Sequence, residues 1–287
     1  MAICRSLTYD LCMISFGFED QHRDFEVRNS EFINRFHNFV ELLPLAFPDL
    51  HLAQPADRVI YMLARTCAED FQEILLLCGN GYGIGAEKLL RGLYERAVTL
   101  VYLHHHPEQA EDFLDYNKVA NHKLLAAVED SMGKDVFSAQ QKKNIEREFQ
   151  EVRDRFLVTV CETCDTRRLN HTWSKLDFVS MARTTGELWK LLVPAYYSGV
   201  REGHSTIASI FSRLDAIAAM SHQELIFGGE AQPERADRAL FLALHILLIV
   251  LGAQRDHFKL DAMNERLREC EQDLLEILHS RRKEGTD

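Results

Sequence analysis

Residues that interrupt regular structure are scarce in this chain, with 6 prolines and 14 glycines among 287 residues. The alternation of apolar and polar side chains bounded by turn residues, which marks half-buried strands, is hardly found, and this excludes a β-rich fold. Positive charge is in the minority: 33 Lys and Arg face 44 Asp and Glu, a net charge of -11. A field of that sign repels a polyanion, so non-specific nucleic-acid binding is disfavoured. The seven cysteines, Cys4, Cys12, Cys67, Cys78, Cys161, Cys164 and Cys270, are odd in number and scattered. They suit reduced thiols in a cytosol rather than a disulfide framework. The longest apolar run, 239–252, falls short of the roughly 18 to 20 residues that cross a bilayer, and it contains His245. It reads as a helix buried on all sides. The apolar stretch 11–16 is brief, is preceded by Arg5 as its one basic residue, and is followed by no small-residue cleavage pattern, so no signal peptide is read there. A cytoplasmic protein with no membrane partner is expected.

Apolar residues recur at three- and four-residue spacing through nearly the whole sequence, which predicts an all-α fold, a multi-helix bundle of about eight to ten helices. A first helix is expected over Asp20 to Leu43, ended by Pro44 and Pro48. Pro55 opens a second, to about Cys78, and Gly79-Asn80-Gly81-Tyr82-Gly83 is a turn rather than a phosphate cradle, since no strand precedes it. Further helices are expected from Ile84 to about His105, from Pro107 to about Ser131, and from the Ser138/Gln141 capping box to about Val160. Cys161 to Trp173 reads as a loop. Leu176 to Thr184 reads as a short helix, and Glu187 to Glu202 as a longer one bent at Pro194. Thr206 to Ala219 resumes the pattern, Ser221 and Glu224 match a second capping box, Pro233 opens the apolar helix, and Asp261 to Arg282 closes the chain. The expected organisation is an N-terminal helical segment, 1–54, a central bundle with a polar cluster, 55–232, and a C-terminal helical hairpin packed on the bundle, 233–287.

Two constellations stand out. Arg91 and Glu95 lie four residues apart in an otherwise largely apolar helix, and so share one face. They form either a solvated ion pair, an inward structural pair, or part of a ligand site. In the segment 194–205, Tyr196 and His204 lie two turns apart, with Tyr197, Ser198, Arg201 and Ser205 alongside. A histidine near a tyrosine and an arginine suits a general base or an anion site, or else a hydrogen bond within the bundle.

Other chemistries are incomplete. Cys161 and Cys164 have knuckle spacing, with His171 beyond them, but no second ligand pair completes a zinc site. His104, His105 and His106 cannot all face one point on a helix, and Glu276 to His279 is a single Glu-x-x-His where a di-iron bundle requires two. No Gly-x-Ser-x-Gly elbow is present. No metal and no cofactor are expected.

The Leu89-Leu90-Arg91-x-x-x-Glu95 helix, the Tyr-rich continuation ending in His104-His105-His106, the segment Phe113-x-x-Tyr116, and the later Trp173, Tyr196 and His204 together resemble a bacterial family catalogued as domain of unknown function 5677. The resemblance runs from about Leu75 to Leu214 and implies an all-helical fold with no established activity. The family's last motif commonly reads Tyr, Ser, His at four-residue steps, whereas here Val200 holds the middle position and Ser198 is displaced. Helical bundles of this look also include the HEPN ribonucleases, whose motif is Arg, four to six residues, then His. Arg201 and His204 are separated by two residues, and Arg167 and His171 by three.

The function expected from these readings is a binding or regulatory module. Its polar cluster of Arg91, Glu95, Tyr116, Tyr196, Tyr197, Ser198 and His204 takes a small anionic ligand, meets a protein partner, or fixes bundle register. The alternative is a HEPN-like, metal-independent ribonuclease or related effector of bacterial defence, with His204 as base and Arg91 or Arg201 on phosphate.

Overall fold

The structure is a computed structural model that describes residues 20–161, 166–203, 207, 210 and 231–284. The fold is all-α, as expected, and the described residues hold eleven α-helices and one two-stranded sheet. His204, the Ser221/Glu224 capping box, Cys164 and most of the helix expected over Thr206 to Ala219 lie outside the described residues.

Three long helices form the centre: α3 (Pro55–Gly79), α4 (Gly83–His105) and α10 (Pro233–Phe258). Each buries a face at helical spacing. On α3 this is Ile60, Ala64, Cys67, Phe71, Ile74 and Cys78; on α4, Ala86, Leu90, Leu93, Ala97 and Leu100. On α10, Ala236, Ala239, Ala243 and Leu247 line the contact, and the small side chains let helix backbones approach. Gly83 serves the same end: a Cβ there would meet the Gln232 carbonyl oxygen at 2.6 Å and Arg235 Cβ at 2.7 Å, so only glycine lets α4 begin against the start of α10. The buried cysteines Cys67, Cys78 and Cys270 are free thiols.

Outside this trio, α2 (Ser30–Ala46) packs along α11 (Asn264–Glu284), with Phe32 and Phe39 facing Leu274 and Ile277 and Arg35 bonded to Asp273 at 3.0 Å. The single first helix expected over Asp20 to Leu43 is two helices, α1 (Gln21–Arg28) and α2. They part at Asn29, whose φ of -112° and ψ of 28° leave the helical region. Its side-chain amide instead donates to the Phe25 carbonyl and, at 2.9 Å, to Asp237. Pro44 sits inside the last turn of α2 rather than ending it, and the helix stops two residues later at Ala46.

The helices α5 (Ala110–Met132) and α6 (Ala139–Val152) form an antiparallel pair with its own small core of Val119, Phe149, Val152 and Phe156. The Ser138 capping box is present, but α6 ends at Val152, earlier than expected. The β-branched run Val158-Thr159-Val160, expected as the end of that helix, belongs to strand β1 (Leu157–Cys161), antiparallel to β2 (Thr166–Leu169), which lies where a loop was expected. Next come α7 (Phe178–Arg183), capped by Asp177, and α8 (Glu187–Lys190). The bend expected at Pro194 takes the form of a π-helical turn over Leu192–Tyr197 that runs into α9 (Ser198–Gly203). A π turn absorbs the hydrogen bond that proline cannot donate.

By length and composition α10 passes for a membrane-crossing helix, yet 72% of its most apolar window is buried inside the protein. It is not buried on all sides: Arg238, Leu242 and His245 face a groove.

Candidate functional site

Glu87, Arg91 and Glu95 follow one another at four-residue steps on α4, on one face of the helix. Arg91 Nε donates to Glu95 Oε1 at 2.9 Å, with side chains 28% and 41% exposed, so this is a half-exposed ion pair. The Arg91 guanidinium also lies 5.1 Å above the ring of Tyr196, which is packed against Phe178 at 4.8 Å and Tyr94 at 6.3 Å. The π-helical turn carrying Tyr196 comes this close because of Gly199. A Cβ at that position would stand 2.6 Å from Arg91 Cβ and 2.7 Å from the Glu87 carbonyl oxygen.

One turn toward the N-terminus the polar face turns inward. Glu87 is 1% exposed. Its Oε2 accepts from Arg235 Nε at 3.0 Å and from Arg235 Nη2, and its Oε1 accepts from Arg238 Nη2 at 2.5 Å. Arg235 Nη2 also donates to Oε1 of Glu202, a buried residue of α9, at 2.8 Å. One guanidinium therefore joins two buried carboxylates from different helices. Burial pulls the Arg235 pKa down, but the hydrogen bonds from Glu87 and Glu202 outweigh it and hold the group above its ordinary value, fully charged. On the far side of the same helix face, the buried Tyr94 hydroxyl donates to the Leu188 carbonyl at 2.8 Å, and burial raises its pKa.

The structure thus brings Arg91, Glu95 and Tyr196 together, with Tyr197 5.3 Å from Tyr196 and Ser198 next in the chain. Arg201 projects outward, 56% exposed, its Nη2 3.7 Å from Glu202. Tyr116 is not part of this group. It stacks edge-on against Phe156 in the small core, donates to the Asn170 carbonyl at 3.0 Å and accepts from Lys123. His204 lies outside the described residues.

Glu87, Glu202, Arg235 and Arg238 were not read from the sequence, though one signal existed. Arginines in the first turns of a helix oppose its macrodipole, so Arg235 and Arg238 at the start of α10 call for carboxylates from elsewhere in the fold.

Beside the cluster runs a groove of about 510 Å³ between α10, the π-helical turn and α11. Phe241, Leu242, Leu278 and Pro194 form its apolar surface, and Arg238, Asp237, Arg281, Glu234 and His245 its polar positions. Asp237 is held by Asn29, by Arg28 at 3.4 Å and by Arg281 at 3.3 Å. Burial lowers the His245 pKa below its usual 6.5, partly offset by Glu187. Among the described residues, no three His, Cys, Asp or Glu side chains are placed to hold a metal ion.

Neither a curated protein nor a solved structure matches the chain. A family model matches residues 57–217, which contain Glu87, Arg91, Glu95, Tyr196 and Glu202, and the chain belongs to that family, described as "Family of unknown function (DUF5677)".

Proposed function

We propose that this protein is a binding or regulatory module, not an enzyme, in which the Glu87, Arg235 and Glu202 cluster clamps three helices and the adjoining surface takes a small anionic ligand. The observation that carries this reading is the saturation of Glu87, which is 1% exposed and already held by two guanidiniums. A carboxylate so held is out of reach of a substrate and has its oxygens already engaged, so it is not placed to exchange a proton with one. The clamp fixes how α4, α9 and α10 meet, and Arg238 links it to the groove. In this reading the central bundle, 55–232, supplies the carboxylates and the C-terminal hairpin, 233–287, supplies the cations. A cytoplasmic location without a membrane partner belongs to the same proposal.

The exposure of Arg201 at 56% keeps the ribonuclease alternative testable, because it leaves a cation beside the segment that leads to His204. Purified protein is incubated with RNA alongside His204→Ala and Arg201→Ala, and its melting temperature is measured with and without inorganic phosphate and acetate. The expected result is no RNA cleavage by any form and an anion-dependent rise in melting temperature. Cleavage by the unaltered protein that either substitution abolishes overturns the binding-module reading.

A further inference from the structure

Along α10, Glu234, Arg238, Phe241 and His245 follow at steps of four, three and four residues, so they line one face. That face spans about 16 Å at 1.5 Å per residue. It is graded in polarity. At its N-terminal end Arg238 is 55% exposed and commits one donor, on Nη2, to Glu87. Its Nε and Nη1 have no partner among the described residues, and a guanidinium carries five donors. The other groove arginine is already engaged: Arg281 donates to Asp237, to Asn29 and to the Arg28 carbonyl, and lies 4.5 Å above the Phe241 ring. The middle of the groove is apolar, walled by Pro194 and Leu278. Its far end holds His245, half-buried, which burial keeps neutral near pH 7. Glu234, exposed at the mouth, disfavours a second negative charge on a ligand.

From this gradient we propose that the groove binds one molecule of a monoanionic amphiphile, an alkyl carboxylate, with its acid group on Arg238 and its tail along Leu242 toward His245. Charge complementarity at one end and the apolar walls along the middle select this class over a simple inorganic anion or an uncharged hydrocarbon. The proposal rests on the binding-module reading and names its ligand class.

The test titrates the full chain calorimetrically with decanoate below its micellar concentration, with decanol, with decyltrimethylammonium and with inorganic phosphate. The variants are Arg238→Ala and Leu242→Trp, each first shown to melt cooperatively. Decanoate is expected to bind at one site, and loss of its charge-assisted hydrogen bonds in Arg238→Ala to weaken it about tenfold or more while leaving decanol unchanged. Leu242→Trp, which fills the groove, is expected to abolish both. Absence of decanoate binding overturns the proposal, as does equal binding by both variants or binding of decyltrimethylammonium as tight as that of decanoate. If phosphate binds in an Arg238-dependent way and decanoate does not, the ligand class fails while the module reading stands. If nothing binds and RNA is cleaved, the module reading fails with it.

Discussion

Glu87 Oε2 and Arg235 Nε lie 3.0 Å apart although 148 residues separate them in the chain. The contact crosses from the first turns of α4 to the first turns of α10, and Gly83 makes it reachable by removing the side chain where the two helices touch. A buried ion pair gains little net stability over a well-packed apolar pair, because desolvation of the charges offsets their attraction. Its effect is specificity: a slip of α10 by one residue against α4 strands two buried carboxylates without their cation.

Gly199 is expected to be intolerant of any side chain. Alanine there forces a Cβ against Arg91 Cβ and the Glu87 carbonyl at under 3 Å, where neither neighbour can yield. Overpacking of this kind costs about 1–3 kcal/mol. At Gly203 a Cβ meets nothing within 4 Å among the described residues, so Gly203→Ala serves as the control, neutral or stabilising by up to about 1 kcal/mol. Urea denaturation of both variants measures the difference, and equal midpoints contradict the close approach of α9 to α4.

Tyr94→Phe removes one oxygen from a fully buried position and one of two donors to the Leu188 carbonyl, which keeps the Leu191 N–H at 3.0 Å. Loss of one such hydrogen bond, with the acceptor still satisfied, costs about 0.5–1.5 kcal/mol. Thermal unfolding of the variant is expected to show a lower melting temperature with the apolar packing of α4 unchanged. An unchanged melting temperature contradicts a sealed environment for this bond.

Stability is expected to fall as the pH is lowered through the histidine range. His104 and His245 both have pKa values below 6.5; burial is the main cause for each, and His105 and His257 add to it for His104. His104 Nδ1 is buried with no hydrogen-bond partner among the described residues. A group with a lower pKa in the folded state binds more protons when unfolded, so stability is lost from about pH 6.5 downward. The urea midpoint is expected to drop between about pH 7.5 and pH 5.5, and to drop less in a His104→Gln, His245→Gln double variant. Identical drops in both proteins exclude these two histidines as the cause.

The helical class was legible because α3, α4 and α10 carry strong 3.6-residue periodicity over more than twenty residues each. The end of α6 was not, since Val158 to Val160 continue an apolar pattern and only their pairing with β2 marks them as a strand. Within the site, the Arg91 and Glu95 pair was legible because its geometry is local, fixed by one helical turn. Glu87 was passed over because its partners come from another helix, and spacing along the chain carries no trace of them. Tyr116 was grouped with Arg91 on sequence resemblance alone, whereas its ring packs with Phe156 in the small core.

The clamp itself is tested most directly by a double-mutant cycle in urea on Glu87→Gln, Arg235→Met and the double variant. Each single change leaves a buried group unpaired and is expected to cost about 3–5 kcal/mol, while the double change costs less than their sum, with a coupling energy of about 2 kcal/mol or more. Additive losses, with a coupling energy within about 0.5 kcal/mol of zero, contradict a clamp between α4 and α10.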